Sequence, residues 1–141
     1  MEQFKLDFIN RVRQHWLLRN FVFSPDVLDF IACQFALESD FGTSSLALTR
    51  NNFCGMKVPY KRLTYRICSI KPSDGFCAYS SFDNCILDYV SWLFYNRPYQ
   101  NALQSVDAFK IFLRNSGYCP EKGYIDLIDS IYKQLKTYQN D

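Results

Sequence analysis

One glutamate of this chain lies on the apolar side of a predicted helix. The apolar positions of that helix recur at helical spacing, at Val27, Leu28, Ile31 and Phe35. The next position on the same stripe is Glu38. A carboxylate among apolar neighbours needs hydrogen-bond partners, or it holds its proton to a pKa above the usual range. General acid catalysis requires such a proton, whereas a half-exposed helix glutamate is the structural alternative.

Both ends of this helix are marked in the sequence. Ser24 offers an oxygen to the free N–H groups of the first turn, and Pro25 follows where a missing donor costs nothing. At the other end, Gly42 is the residue type that most often terminates a helix in the left-handed conformation. We therefore expect Glu38 near the end of a helix that Gly42 stops.

Helices are expected along most of the chain, and one segment differs. A first helix over residues 2–19 places Phe4, Phe8, Val12 and Trp16 on one face, and helical periodicity returns after Asp83. Residues 63–68 are instead rich in β-branched and aromatic types, residues 72–75 form a turn signal, and residues 76–82 suit a returning strand.

These elements predict an α+β, mostly α fold. The length of 141 residues suits a single domain over residues 1–141. Its small β-hairpin lobe, at about residues 58–82, is expected to border a substrate cleft where it meets the helices.

The amino-acid composition limits the kinds of molecule that the protein is expected to bind. The 13 Phe, 10 Tyr and 2 Trp exceed the needs of a core this size, which favours some rings in a groove. A net charge of +2 without a Lys/Arg run argues against nucleic acid. The first residues do not resemble a secretory signal, and no stretch is long enough to insert in a membrane.

Six cysteines accompany the single histidine, His15, without any C-x-x-C pair. That spacing argues against a zinc site, and we expect neither a metal nor a cofactor. Cys68 and Cys77 are the best candidates for a disulfide, because they could face each other across the hairpin. Reduced thiols are favoured overall, since a domain of this size does not need a disulfide framework.

Six segments in order resemble the glucosaminidase domain of flagellar-type and autolysin peptidoglycan hydrolases. Residues 36–42 match its A-x-E-S-x-x-G block, and residues 44–47 match a following S-x-L-A element. Residues 51–57 match its N-N-x-F-G-I-K block, with Cys54 in place of the usual phenylalanine.

The later half of the chain continues the resemblance. Residues 76–81 are similar to the family's F-x-x-Y-x-S run, and residues 88–93 to its D-Y/H-x-x-F/L run. Residues 117–125 are similar to the closing G-Y-A-T-D/N-P-x-Y-A element. The resemblance implies a lysozyme-like fold, with Glu38 as the proton donor to a glycosidic oxygen.

The resemblance leaves the second catalytic group open. Many family members carry an acid on the β lobe, and Asp74 is the only acid in this hairpin. An Asp before a Gly also commonly serves the turn itself. The acetamido group of the substrate is the alternative, as an internal nucleophile.

Further site residues follow from the resemblance. Tyr118 matches a cleft tyrosine that could orient water or the acetamido group, with packing on the core as its alternative. Asn52 could offer its amide to an N-acetyl group. The residues expected to stack on sugar rings, each also a candidate for the core, are Phe53, Tyr79, Tyr99 and Tyr124.

The leading hypothesis is a peptidoglycan hydrolase that cuts β-1,4 bonds of glycan strands, as an endo-β-N-acetylglucosaminidase. A muramidase or lytic transglycosylase on the same fold and a non-catalytic glycan-binding module are the alternatives. Without an export signal, delivery to the cell wall is expected through lysis, a virion or a dedicated export machine.

Overall fold

The computed structural model describes residues 1–67 and 72–140, and its regular structure is helical. The helices are α1 (Gln3–Arg13), α2 (Trp16–Arg19), α3 (Pro25–Ser39), α4 (Ser45–Arg50), α5 (Phe82–Tyr95), a 3-10 helix (Gln100–Leu103), α6 (Val106–Ser116) and α7 (Tyr124–Asn140). The prediction of a mostly helical chain is confirmed.

The single first helix predicted over residues 2–19 is wrong. It divides into α1 and α2, because His15 adopts an extended conformation and caps the second helix through its ring nitrogen, which accepts from the Leu17 N–H at 3.2 Å. The break turns Trp16 away from the core, so that its side chain is 61% exposed. Phe8 and Val12 remain buried as expected.

Helix α3 is the centre of the core. Its buried Phe30 makes edge contacts with Phe109 of α6, at 5.9 Å between ring centroids, and with Tyr132 of α7 at 5.7 Å. Ser24 caps the first turn by accepting from the Val27 N–H at 3.2 Å, and Pro25 follows, as the sequence predicted. The helix that carries Glu38 is therefore packed against neighbouring elements.

The predicted β-hairpin lobe is wrong as an element of secondary structure. Across residues 1–67 and 72–140 there is no β-strand, and one antiparallel bridge joins Lys57 to Phe76. The chain does turn back, since the Gly75 N–H donates to the Pro72 carbonyl at 3.2 Å. The predicted pair of Cys68 with Cys77 involves a residue outside the described ranges.

A buried carboxylate holds this irregular segment to the helices. Asp88 of α5 is fully buried and accepts two bonds from Arg62, at 2.7 and 3.2 Å, and one from the Thr64 hydroxyl at 2.9 Å. The Tyr65 N–H, at 3.1 Å, and the Tyr79 hydroxyl complete the set. Side-chain hydrogen bonds to one aspartate thus hold the segment to α5, beside scattered backbone bonds such as that from the Ile67 N–H to the Ala78 carbonyl at 2.8 Å.

These bonds determine the charge of Asp88. Burial alone would raise the pKa of its carboxyl, but the hydrogen bonds from Arg62 and Tyr79 outweigh burial and lower that pKa below its ordinary value. The aspartate is therefore ionised and paired.

Two further findings concern the cysteines and the membrane. Cys33, Cys54, Cys77, Cys85 and Cys119 are free thiols. Among the described helices, none is both long and apolar enough to cross a bilayer.

We predict that Asp88→Asn lowers the free energy of unfolding by about 3–5 kcal/mol, because it leaves the buried Arg62 guanidinium without a counter-charge. Urea denaturation at pH 7 measures this change. Asp74→Asn is the matched control, since its ion pair with Arg50 is solvent-exposed and contributes much less to stability than a buried pair. Equal losses from the two variants would contradict the anchoring role of Asp88.

Candidate active site

The last turn of α3 is shaped by Ser39, which directly follows Glu38. Its buried hydroxyl donates to the Phe35 carbonyl at 2.7 Å and accepts from the Gly42 N–H at 2.8 Å. Its carbonyl accepts from the N–H groups of the next turn, at 3.0 and 2.9 Å. The helix ends earlier than predicted, because Asp40 and Phe41 adopt the left-handed conformation before Gly42 does.

A loop glycine lies directly against the Glu38 carboxyl group. A Cβ atom added to Gly55 would come within 1.9 Å of Glu38 Oε2 and 2.7 Å of Cδ. Gly55 also has a φ of +68°, which favours glycine. The loop backbone thereby confines one side of the half-buried glutamate, and any side chain at position 55 would displace the carboxyl group.

Asn52 gives the Gly55 loop its shape from inside the protein. Its side-chain amide donates to the carbonyls of Met56, at 2.9 Å, and Cys77, at 3.0 Å, and its oxygen accepts from the Met56 N–H at 3.1 Å. Because both amide hydrogens are taken and the residue is fully buried, Asn52 has no donor left for an N-acetyl group. Its predicted contact with substrate is replaced by support of the loop.

A chain of buried polar groups leads to Glu38 from the core. The Tyr89 hydroxyl donates to Gln34 Oε1 at 2.6 Å, and Gln34 Nε2 donates to the Tyr124 hydroxyl at 3.1 Å. The Tyr124 hydroxyl also acts on the Glu38 carboxyl group, whose pKa it lowers. Since the Tyr124 oxygen accepts from Gln34, its own hydrogen remains available to Glu38. Tyr124 therefore reaches the site through its hydroxyl group.

The surroundings of Glu38 raise its pKa above the ordinary value for a glutamate. Burial is the largest cause, and the nearby negative charge of Glu121 acts in the same direction. The hydrogen bond from Tyr124 and the positive charge of Lys57 oppose the shift without cancelling it. Glu38 is thus a carboxylic acid that retains its proton to a higher pH than an exposed one.

Tyr118 lies beside the same loop. Its hydroxyl donates to the Cys54 carbonyl, next to Gly55, and its ring packs edge-on against Trp92 at 4.6 Å between centroids. The ring also stacks with that of Tyr124 at 6.4 Å. Because its hydrogen is taken, Tyr118 can act toward a ligand only through the lone pairs of its oxygen.

Asp74 makes its contacts elsewhere. Its carboxylate accepts from Arg50 at 2.8 Å and from the Phe76 N–H at 3.1 Å, and these two bonds lower its pKa. This is the turn-forming alternative that the Asp-Gly sequence suggested. We accordingly replace Asp74 as the candidate for the second catalytic group.

The other predicted sugar-stacking residues make different contacts. Phe53 is buried between Phe8 and Phe82, with ring centroids at 6.1 and 4.9 Å. Tyr79 is buried and donates to Asp88, so its role is structural. Tyr99 is exposed, but it lines a groove beside α6.

Sequence reasoning missed two groups that act on Glu38. Gln34 lies one helical turn before Glu38, so the i, i+4 spacing was a usable signal. Glu121 occupies the D/N position of the closing element, and it lines a cavity of about 300 Å³ together with Tyr124. Only the arrangement of the chain in space brings its charge to Glu38.

Within the described residues, no group of three or more His, Cys, Asp or Glu side chains could hold a metal ion. The chemistry available here is that of a carboxyl group with a raised pKa, a nearby carboxylate and two phenols.

One protein family matches most of the chain. The family model described as mannosyl-glycoprotein endo-beta-N-acetylglucosaminidase matches residues 26–137, which include Glu38, Gly55, Tyr118 and Tyr124. The chain belongs to the glucosaminidase family. As a glucosaminidase domain, it is a glycoside hydrolase by class.

Individual relatives agree with this assignment. The glucosaminidase domain is 38% identical over 74 residues to the peptidoglycan hydrolase FlgJ of Pseudomonas aeruginosa. This match covers 50% of the chain and 18% of the length of FlgJ.

Two solved structures share the fold. The catalytic domain of the autolysin Auto from Listeria monocytogenes superposes with a TM-score of 0.64 at 20% identity, covering 100% of this chain and 89% of that one. A type VI secretion system effector-immunity complex from Pseudomonas protegens gives 0.63 at 18% identity, covering 96% of both chains.

We predict that Gly55→Ala abolishes glycan hydrolysis while the protein stays folded, because the new methyl group displaces the Glu38 carboxyl group. Release of reducing ends from peptidoglycan measures activity, and circular dichroism measures folding. Gly75→Ala is the matched control, since Gly75 has a similar φ of +79° with nothing within 4 Å of an added Cβ. An active Gly55→Ala protein would show that the contact with Glu38 is dispensable.

Proposed function

We propose that this domain hydrolyses β-1,4 bonds of peptidoglycan glycan strands as an endo-β-N-acetylglucosaminidase, with Glu38 as general acid. The observation that carries the proposal is the close contact of Gly55 with the half-buried Glu38 carboxyl group, whose pKa burial raises. The similarity to FlgJ supports peptidoglycan as the substrate. The family assignment supports an N-acetylglucosaminyl bond as the one that is cut.

The environment of Glu38 suits both halves of a proton transfer. Burial raises its pKa, which favours the acid form that must donate the proton. Once the proton has moved to the leaving oxygen, the carboxylate that remains accepts the Tyr124 hydrogen bond and faces the Lys57 charge. Gln34 and Tyr89 keep the Tyr124 hydroxyl oriented for that moment.

Glu121 is our candidate for the second carboxylate. Its charge acts on Glu38, and the residue lies on the exposed turn that leads into α7. The cavity that Glu121 lines with Tyr124 gives space for water next to both side chains. A carboxylate there would stabilise the oxocarbenium-like centre and orient the attacking water or the acetamido group.

The remaining roles are assigned accordingly. Tyr118 offers its oxygen as an acceptor to water or to the acetamido N–H, as its bond to Cys54 leaves only lone pairs.

The proposed site of action is the cell wall, reached through lysis, a virion or a dedicated export machine.

We predict that Glu38→Gln folds normally and loses about 10²-fold to 10⁴-fold in hydrolysis rate, since the amide cannot donate a proton to the leaving group. Digestion of purified peptidoglycan, followed by mass spectrometry of the released ends, measures rate and product together. Glu2→Gln on the exposed N-terminal turn is the control, with unchanged rate expected.

The products decide between the proposed activity and its relatives. Reducing N-acetylglucosamine ends support the proposal. Reducing N-acetylmuramic acid ends would identify a muramidase, and 1,6-anhydro ends a lytic transglycosylase. Binding of sacculi without any release of ends would identify a non-catalytic glycan-binding module.

We predict opposite shifts of the pH profile from the two charges beside Glu38. Because the acid form is active, kcat/KM falls as pH rises through the Glu38 pKa. Glu121→Gln removes a charge that raises this pKa and moves the alkaline limb to lower pH, whereas Lys57→Gln moves it to higher pH. The pH dependence of kcat/KM for the two variants measures both shifts, and shifts in the same direction would contradict the prediction.

The same variants test the role of Glu121. A second carboxylate predicts that Glu121→Gln also lowers kcat at the pH optimum by about 10²-fold, whereas Lys57→Gln does not. A profile shift for Glu121→Gln with full kcat at the optimum would limit Glu121 to tuning the Glu38 pKa.

A further inference from the structure

A second concave surface runs along α6. It lies between α6, the 3-10 helix and the turn after α5, and it encloses about 650 Å³, a volume in the range of ligand sites. We call it the α6 groove, and the residues that define its lining here are Arg97, Tyr99, Asn101, Ile111, Phe112 and Asn115.

Tyr99 presents its ring to solvent from a constrained backbone. Its side chain is 85% exposed. Pro98 precedes it, Arg97 has a φ of +50°, and the Tyr99 carbonyl accepts from the Ala102 N–H at 2.9 Å. Such a ring offers an open face with little conformational entropy to lose on binding. Ile111, also exposed, adds apolar surface to the groove wall.

The polar side chains of the groove are available to a ligand. Within the part of the chain that the structure describes, Arg97, Asn101 and Asn115 make no side-chain hydrogen bond or ion pair. Each amide carries donors and an acceptor, which match the hydroxyl and acetamido groups of an amino sugar. Arg97 adds a positive charge suited to a carboxylate on the strand, and no described lining residue is acidic.

An unbroken row of aromatic rings connects the groove to Glu38. Tyr124, which is hydrogen-bonded to Glu38, stacks with Tyr118, and Tyr118 contacts Trp92 at 4.6 Å. Trp92 in turn contacts Phe112, which lines the groove, at 6.0 Å. Packed rings thus link one wall of the groove to the surroundings of Glu38.

The far end of the groove is remote from the cleavage chemistry. The 3-10 helix after Tyr99 is joined to the start of α3, since the Leu103 carbonyl accepts from the Ser24 N–H at 2.9 Å. Glu38 lies in the last turn of α3, about 21 Å along the helix axis from Ser24. Tyr99 thus belongs to a separate part of the surface.

We infer that the α6 groove is a second saccharide-binding site, which holds N-acetylated amino sugars of the glycan strand beyond the bond that is cut. The inference rests on the proposed function for the identity of the glycan. Tyr99 stacks on a sugar ring, Asn101 and Asn115 bind its polar substituents, and Arg97 pairs with a carboxylate of the strand.

The experiment uses the whole chain carrying Glu38→Gln, so that ligands persist. Tri-N-acetylchitotriose is titrated into the isotope-labelled protein, and amide resonances are followed by NMR. Resonances of Tyr99, Ile111 and Asn115 are expected to shift. Shifts confined to residues around Gly55, Tyr118 and Tyr124 would overturn the inference, as would shifts caused by a free stem peptide and not by the sugar.

A second arm measures equilibrium binding of the Glu38→Gln protein to purified sacculi. Adding Tyr99→Ala is expected to weaken binding about fivefold, as the loss of one aromatic contact would. Tyr138→Ala, at a tyrosine of α7 that is 42% exposed, is the matched control and should bind unchanged. Asn115→Ala repeats the test if Tyr99→Ala unfolds, and binding equal to the control overturns the inference.

Digestion of sacculi by the unmodified protein separates the two proposals. If Glu38-dependent release of ends is found but the α6 groove shows no sugar binding, only the inference of a second saccharide-binding site is refuted. If there is neither release of ends nor sugar binding, the proposed function fails as well.

Discussion

The buried carboxylate of Asp88 is the interaction on which the site depends. It collects hydrogen bonds from Arg62, Thr64, Tyr65 and Tyr79, and so fixes a segment with no strand ladder in its described part to α5. That segment supplies the Cys77 carbonyl that binds the Asn52 amide, and Asn52 shapes the loop containing Gly55. The ion pair of Asp88 with Arg62 in the core thus helps to hold the Gly55 loop against Glu38.

Two partly or fully buried carboxyl groups in this protein have opposite properties, and the number of donors around each explains the difference. Asp88 has Arg62 and several further donors, which lower its pKa despite burial. Glu38 has one hydrogen bond from Tyr124 and a lysine charge, which do not offset burial, and its pKa is raised. Burial and hydrogen bonding thus favour the charged form of Asp88, which stabilises the fold, and the protonated form of Glu38, which suits acid catalysis.

The sequence alone predicted the features that depend on residues close together in the chain. Periodicity and the Ser24 cap located the helix of Glu38, and the ordered motifs indicated the family. Prediction from the sequence failed where contacts between distant segments determine the local structure. The β-rich composition of residues 63–68 predicted a strand, but hydrogen bonds to Asp88 hold Thr64 and Tyr65 of this stretch in another form. Asp74 was a catalytic candidate as the only acid of the hairpin, and its ion pair with Arg50, 24 residues earlier, could not be predicted from the sequence.

Replacement of a sheet by side-chain anchoring also has an evolutionary consequence. A strand pair requires matched length and register, so an insertion in one strand disturbs its neighbour. Among its described residues, the segment between Lys57 and Phe76 has one bridge, at its base, and discrete attachment points at Arg62 and Thr64. Residues of the segment away from those points can therefore change in type without altering the helix that carries Glu38, and this wall of the domain can diverge toward new glycans while the acid is kept.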